Sequence, residues 1–339
     1  MSSPNPVLVE LTRGCIVESV HRGAIAICDA SGRSVARWGA IENPVYPRSA
    51  FKALQALALV ESGGAAAFGV SDEELALSCA SHSGEAMHTE RVAAWLQRIN
   101  CKDDDLACGP HAPLHESTAR AMIREGKSHC RVHNNCSGKH TGFLTLARHL
   151  GVSIDGYEAP QHPVQVLVRA TIAEICDLDP DELPVGIDGC AAPNYAIPLH
   201  NLATGMARMG DTGGLTSKRA SAATRLLKAW KQFPRLVSGT GRACADFIEG
   251  AIGNTVVKTG AEAVFMAVVP EKGLGIALKI DDGGTRASET AMAKVLCLLG
   301  VADPSDNRIA RHLNPPIRNW RGDVVGKRRA ANEMQAMLG

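Results

Sequence analysis

Aromatic residues make up only 4% of the 339-residue chain, and no run of 18 or more apolar residues occurs. The second absence excludes a membrane-spanning helix, which needs about 20 such residues. A basic surplus is missing too: 36 Lys and Arg face 35 Asp and Glu, a formal charge of +1. A nucleic-acid binder that neutralises phosphates needs excess cations, so that class is excluded as well. The N-terminus, Met1-Ser2-Ser3-Pro4-Asn5-Pro6, has neither the basic nor the apolar region of a signal peptide. The 11 cysteines are odd in number and include no C-x-x-C pair. A disulfide framework is therefore not expected. A cytoplasmic location is, with most thiols serving as small buried hydrophobes.

What is present favours a real core: 45% of residues are hydrophobic, 21% are charged, and 33 are glycine. Strand-like runs open the chain at Val7 to Val20, Arg22 to Asp29 and Ser34 to Trp38. Helical spacing takes over at Ser49 to Val60, after the capping box Ser71-Asp72-Glu73-Glu74, and at His88 to Ile99 and Ser117 to Gly126. It continues at Gly138 to Leu150, Pro163 to Cys176, Leu199 to Met209 and Ala220 to Trp230. Strands return at Thr255 to Gly260, Ala263 to Val269 and Gly275 to Ile280, before a closing helix at Arg286 to Leu299. This order predicts an α+β fold, with one antiparallel sheet built from both termini and a helical lobe from the middle. The expected organisation is a single two-lobed domain over 1–314. Its sheet comes from about 7–40 and 255–280, its helical lobe from about 49–230. Residues 315–339, rich in Arg and Lys, read as a surface tail.

Ser49-Ala50-Phe51-Lys52 is an S-x-x-K, which at a helix start puts the Lys amine beside the Ser hydroxyl. A serine becomes a nucleophile when a neighbouring base takes its proton, and a Lys serves if burial keeps it neutral. Alone the pattern is equally an N-cap serine and a helix-favouring lysine. Lys258-Thr259-Gly260 changes that balance, because K-T-G on a late strand accompanies S-x-x-K in serine β-lactamases and penicillin-binding proteins. Ser305-Asp306-Asn307 has the letters of the third β-lactamase element but the wrong order, and reads as a decoy turn. Ser81 or Ser83, in Ala80-Ser81-His82-Ser83-Gly84-Glu85, is a better second hydroxyl. His133-Asn134-Asn135-Cys136-Ser137-Gly138-Lys139-His140 is the densest polar cluster. By spacing, Cys136 with His140 or His133 with Cys136 suit zinc, with Cys190 as a distant third ligand. A capped helix start with incidental histidines is the plain alternative.

Together these segments, with Arg48, Asp188-Gly189-Cys190 and the strands from Val256 to Ile280, resemble the class 3 L-asparaginases. This is the asparaginase II or thermolabile-type family known from rhizobia. Arg13-Gly14-x-Ile16-Val17-Glu18-x-x-His21-Arg22 and Gly275-Ile276-Ala277-Leu278-Lys279 belong to the same pattern. The likeness runs from about Val7 to about Gly300, and Asn-Asn-Cys-Ser-Gly-Lys-His is its most specific part. It implies a serine β-lactamase-like fold and hydrolysis of L-asparagine to L-aspartate and ammonia. It implies two Ser–Lys tandems, Ser49 with Lys52 and Ser81 with Lys258, and places Arg48, His140 and Asp188 at the substrate. It puts Zn²⁺ on Cys136, Lys139 and Cys190, where spacing alone favours His140 over Lys139. It further implies a homodimer.

Two rivals stand beside the serine amidohydrolase. One is a metallo-amidohydrolase, in which zinc-bound water attacks a small amide. The other is a penicillin-binding or sensor module that is acylated without turnover. Neither the degree of glutamine side activity nor the need for zinc is legible, since one methylene is worth only ~1–3 kcal/mol in a pocket.

Overall fold

The β-branched runs at both ends of the chain become one sheet in the computed structural model, which describes residues 4–334. Among those residues the sheet has eight strands: β1 Val7–Arg13, β2 Ile16–Asp29, β3 Ser34–Trp38, β4 Val256–Thr259, β5 Val264–Val269, β6 Leu274–Ile280, β7 Pro316–Arg318 and β8 Val324–Ala330. Their order is β7-β8-β1-β2-β6-β5-β4, with β3 also on β2, and every pairing is antiparallel. The α+β expectation, with the sheet drawn from both termini, is borne out. All six residues of β5 are buried, because helices pack against both of its faces. Helix Leu199–Gly210 lies against β2, β5 and β6, and helix Thr285–Leu298 against β1, β5 and β6.

The chain divides into two compact units. The sheet unit takes the residues up to Ala50, Ile197–Asp211 and those from Asp246 on. The helical unit takes Phe51–Ala196 and Thr212–Ala245. Its helices Lys52–Glu61, Asp72–Ser78, Ala86–Arg98, Ser137–Leu150, Pro163–Ile175 and Ser217–Gln232 sit within a few residues of the expected segments. The capping box at Ser71 forms as expected, with Glu74 N donating to Ser71 Oγ and Ser71 N to Glu74 Oε2.

Two expectations need correction. Residues 315–334 are not a surface tail: β8 pairs with β1 in register Val9↔Ala330, Glu10↔Arg329 and Leu11↔Arg328. Its basic residues lie one strand in from the sheet edge, between β7 and β1, and Arg329 Nη2 meets Glu10 at 2.9 Å. Residues 335–339 lie outside the described range. Helix Leu199–Gly210 belongs to the sheet unit and not to the helical lobe. Its amphipathic spacing fits either neighbour, and only tertiary packing chooses. The Ser305-Asp306-Asn307 decoy does begin in a turn, and Asp306 is a helix N-cap, accepting from Arg308 N at 2.8 Å and opening helix Asn307–Leu313.

Candidate active site

The helical unit buries an unusual set of polar side chains around the segment Ala80–Gly84. Ser81 is fixed by its own N–H, which donates to Val237 O at 2.9 Å. Lys52, the first residue of its helix and only 1% exposed, turns its amine inward. Its Nζ lies 3.1 Å from Ser81 Oγ, 3.1 Å from Cys136 Sγ and within hydrogen-bond reach of Ala80 O. The tandem expected from the sequence joins Ser49 to Lys52; the contact made inside this unit joins Lys52 to Ser81.

The Asn-Asn-Cys-Ser-Gly-Lys-His motif now has a physical explanation, residue by residue. Asn134 Nδ2 donates to Cys108 O and Gly109 O at 2.6 and 2.8 Å, while its Oδ1 accepts from Cys136 N at 2.9 Å. Asn135 Oδ1 accepts from Cys136 Sγ at 3.1 Å, and Asn135 N donates to His111 Nε2 at 2.9 Å. Ser137 Oγ donates to Val132 O at 2.9 Å and takes His82 Nε2 at the same distance. From Ser137 to Ala147 every residue of the helix is buried, Lys139 and His140 included.

Lys139 Nζ donates to Cys190 Sγ at 3.0 Å. Cys190 sits in a turn closed by Asp188 N to Ala192 O and Ala191 N to Asp188 O, both 2.9 Å. The hydrogen bond from Cys136, then Lys139 and His140, drives the Cys190 thiol far below its usual range against the cost of burial. Cys136 is pushed up, first by the Cys190 sulfur and then by burial. Between the two sulfurs the proton is thus favoured on Cys136. Burial opposes the charge on Lys139, but Cys190 and Cys136 outweigh it and push its pKa up. His140 is pushed down, chiefly by burial. Its Nδ1 meets Tyr157 Oη at 2.7 Å, and Tyr157 Oη accepts from Ala107 N at 2.9 Å. The tyrosine proton thus goes to His140 Nδ1, leaving Nε2 as the ring N–H beside Cys190.

Behind Ser81 lie two stacked histidines, His82 and His88, with ring centroids 4.8 Å apart. His82 Nδ1 accepts from Gly84 N, and His88 Nδ1 accepts from Glu85 N, both at 3.2 Å. Burial holds both below the usual imidazole range, His88 adding its charge against His82. The sequence reading missed this pair and Tyr157; nothing in their spacing separates them from ordinary core residues.

The remaining sequence candidates belong to the sheet unit. Ser49 lies in the 3-10 turn Arg48–Phe51, and Arg48 has φ 53°, in the left-handed region that L side chains rarely adopt. Lys258 is buried on β4, with Nζ 2.8 Å from Thr259 O. Gly260, which ends that motif, runs against the Ser49 turn. A Cβ there would come within 2.6 Å of Pro47 O, 3.0 Å of Ala50 N and 3.2 Å of Ser49 N. Only glycine lets the two backbones approach. The sheet unit thus brings Ser49 and the K-T-G segment together. The helical unit gathers Lys52, Ser81, Cys136, Lys139, His140 and Cys190, with Asp188 at the Cys190 turn.

Among the described residues no cluster of three or more His, Cys, Asp or Glu side chains is placed to hold a metal ion. No helix among them is long and apolar enough to cross a membrane.

Among solved structures the chain is similar to a β-lactamase from Mycobacterium bovis, with 14% identity and a TM-score of 0.38, covering 81% of this chain and 94% of that one. It is similar to a mutant simvastatin synthase from Aspergillus terreus, with 11% identity and a TM-score of 0.38, covering 76% and 86%. A third is an octameric penicillin-binding protein homologue from Pyrococcus abyssi, with 14% identity and a TM-score of 0.33, covering 84% and 75%. Likenesses this distant bear on neither chemistry nor substrate. No curated protein matches the chain. The family match is of a different kind, since it takes in residues 9–330, from β1 through both halves of the polar cluster to the end of β8. The chain belongs to the L-asparaginase II family, whose members are hydrolases acting on amides.

Proposed function

We propose that the chain hydrolyses L-asparagine to L-aspartate and ammonia by serine catalysis. The observation that carries this reading is Lys52, a buried amine aimed at Ser81 Oγ and Cys136 Sγ in a chain of an amide-hydrolysing family. Ser49 Oγ attacks the side-chain amide carbon while Lys52 accepts the serine proton. The tetrahedral oxyanion collapses, the C–N bond breaks, and ammonia leaves with a proton relayed through Ser81 and Lys258. Water then attacks the ester, releasing aspartate and returning the proton to Ser49. Arg48, His140 and Asp188 are proposed to contact the substrate. A homodimer is part of the same proposal, checked by light scattering.

A second reading has its own observation. Cys136 S–H donates to Asn135 Oδ1, so the Cys136 sulfur and Ala80 O both accept from Lys52. A neutral amine has two N–H groups for those acceptors and a lone pair left for the Ser81 hydroxyl. Lys52 is therefore placed to activate Ser81 as nucleophile. Ammonia release from L-asparagine, L-glutamine and D-asparagine by Ser49→Ala and Ser81→Ala decides between the serines. The nucleophile's loss abolishes turnover, whereas loss of the relay serine leaves a slow residual rate.

Cys136, Lys139 and Cys190 are the residues proposed to hold Zn²⁺. The Cys136 sulfur and the Lys139 amine converge on the Cys190 sulfur, whose pKa they drive down, and all three side chains are buried. That donor set fits a soft divalent ion that displaces the protons on Lys139 and Cys136. Bound there, zinc supplies a Lewis acid that orients the substrate. Chelation should raise KM and leave substantial kcat; complete loss of kcat, restored by zinc, would favour the metallo-amidohydrolase.

A further inference from the structure

We infer that Arg242 receives the α-carboxylate of the amino-acid substrate, and that Glu85 is the positioning residue holding the loop that carries it. The inference rests on the proposed reaction of a free amino-acid amide and adds the group that recognises its acid end. Neither residue stands out in the sequence. Arg242 is a lone arginine in Ser238-Gly239-Thr240-Gly241-Arg242, more than 150 residues from Ser81.

The loop is clamped to the Ser81 segment at successive points. Val237 O accepts from Ser81 N at 2.9 Å. Gly239 has φ 119°, and a Cβ there would clash with Ser83 Oγ, so glycine alone lets the loop lie against Ser83. Glu85 then binds both strands of chain at once. Its Oε1 accepts from Ser83 Oγ at 2.6 Å and from Thr240 N at 2.9 Å, and its Oε2 accepts from Thr240 Oγ1 at 2.9 Å. Burial opposes charge on Glu85, but Ser83 and Thr240 outweigh it and keep the carboxylate ionised. These acceptor sites are spent on Ser83 and the loop, with His115 Nδ1 4.0 Å from Oε2.

Two residues beyond Thr240 comes Arg242, half-buried. Among the described residues no carboxylate or other acceptor pairs with its guanidinium. Its charge reaches His82, the residue next to Ser81. A partly desolvated guanidinium with five donors and no partner is a binding site waiting for an anion. A carboxylate fits that fork in bidentate fashion. Its position two residues beyond the Glu85 clamp would leave the substrate's amide end toward Ser81.

The test compares two amides: L-asparagine and β-alaninamide, which is asparagine without its α-carboxylate. Arg242→Met should raise KM for L-asparagine roughly 10- to 100-fold, the range for losing a charge-assisted pair, with kcat within about threefold. Its kcat/KM for β-alaninamide should match that of the unaltered protein. Glu85→Gln should repeat the pattern in weaker form, because the loop loosens but the guanidinium remains. Equal losses on both amides, or an unchanged KM for L-asparagine, would overturn the assignment. If Arg242→Met fails to fold, Arg242→Lys keeps the charge without the fork and should give an intermediate KM. Binding of L-aspartate, followed by calorimetry, separates this inference from the reaction it rests on. Should the unaltered protein release no ammonia from L-asparagine, the reaction fails. L-aspartate binding lost in Arg242→Met would still support the carboxylate site, and binding unaffected by that substitution would sink it.

Discussion

In the sheet unit His312 points Nε2 at Asp246 Oδ2, 2.7 Å away, and Nδ1 at Glu289 Oε2, 3.5 Å away. Both ring nitrogens face carboxylates, an arrangement that suits the imidazolium. In the helical unit His82 and His88 each accept at Nδ1 from a backbone N–H and donate at Nε2, to Ser137 Oγ and Arg235 O. Protonating either ring would set two donors against each other, so this arrangement suits the neutral form. The same side chain is thus held in opposite charge states by its acceptors. In the sheet unit the cations have carboxylates: Arg311 also pairs with Asp246, and Arg328 with Glu289. Around Ser81 the amines and imidazoles donate to carbonyls, hydroxyls and sulfurs, and Glu85 is committed to its loop. A cation paired with a carboxylate does structural work. One without such a partner, as Arg242 is among the described residues, is poised to take an anion.

The sharpest way to break this comparison is to remove the proposed catalytic groups in one set of variants and a charge-pairing carboxylate in another. Ser49→Ala and Lys52→Met should lower ammonia release by at least ~10³-fold, while circular dichroism and Tm change little. A Ser49→Ala protein keeping more than a tenth of the rate would shift the nucleophile to Ser81. In the sheet unit Asp246→Ala strands His312 and Arg311. Unfolding free energy should fall by about 3 kcal/mol or more, read from urea denaturation, with kcat per folded molecule preserved.

The histidines should give the two units opposite pH dependence. Burial lowers the pKa of His312, but Asp246 and Glu289 outweigh it and raise it. Its stabilisation is complete below the ordinary histidine pKa of ~6.5 and is lost as pH rises through its raised folded value. For His82 and His88 the folded pKa is depressed, so below pH ~6.5 the unfolded chain binds more protons and stability falls with pH. Hydrogen exchange should therefore rise in helix Asn307–Leu313 on the alkaline side and in helix Ala86–Arg98 on the acid side. His312→Gln should remove only the alkaline effect. The smallest change expected is between β1 and β8: Glu10→Ala, which removes the partner of Arg329, should cost at most ~1 kcal/mol.

The sheet was legible because β1, β2, β5 and β6 are long, β-branched runs with clear breaks. β7 and β8 were not, because their basic residues imitate the composition of a disordered tail. Helix Leu199–Gly210 was legible as a helix but not as part of the sheet unit, since periodicity gives a buried face and not its partner. Within the site, Cys136, Lys139, His140 and Cys190 were marked by local density and by family pattern, and the structure draws these four together. The Lys52–Ser81, His82–Ser137 and Glu85–Thr240 contacts join residues 29, 55 and 155 apart. Motif spacing carries no information at that range.

Central to the proposed reaction is a covalent intermediate on Ser49. Rapid-quench intact-mass analysis with L-asparagine, followed by peptide mapping, reads it directly. The expected result is a transient aspartyl ester on the peptide containing Ser49, absent in Ser49→Ala. Full turnover with no adduct on any serine, abolished by chelator and restored by zinc, would contradict serine catalysis altogether.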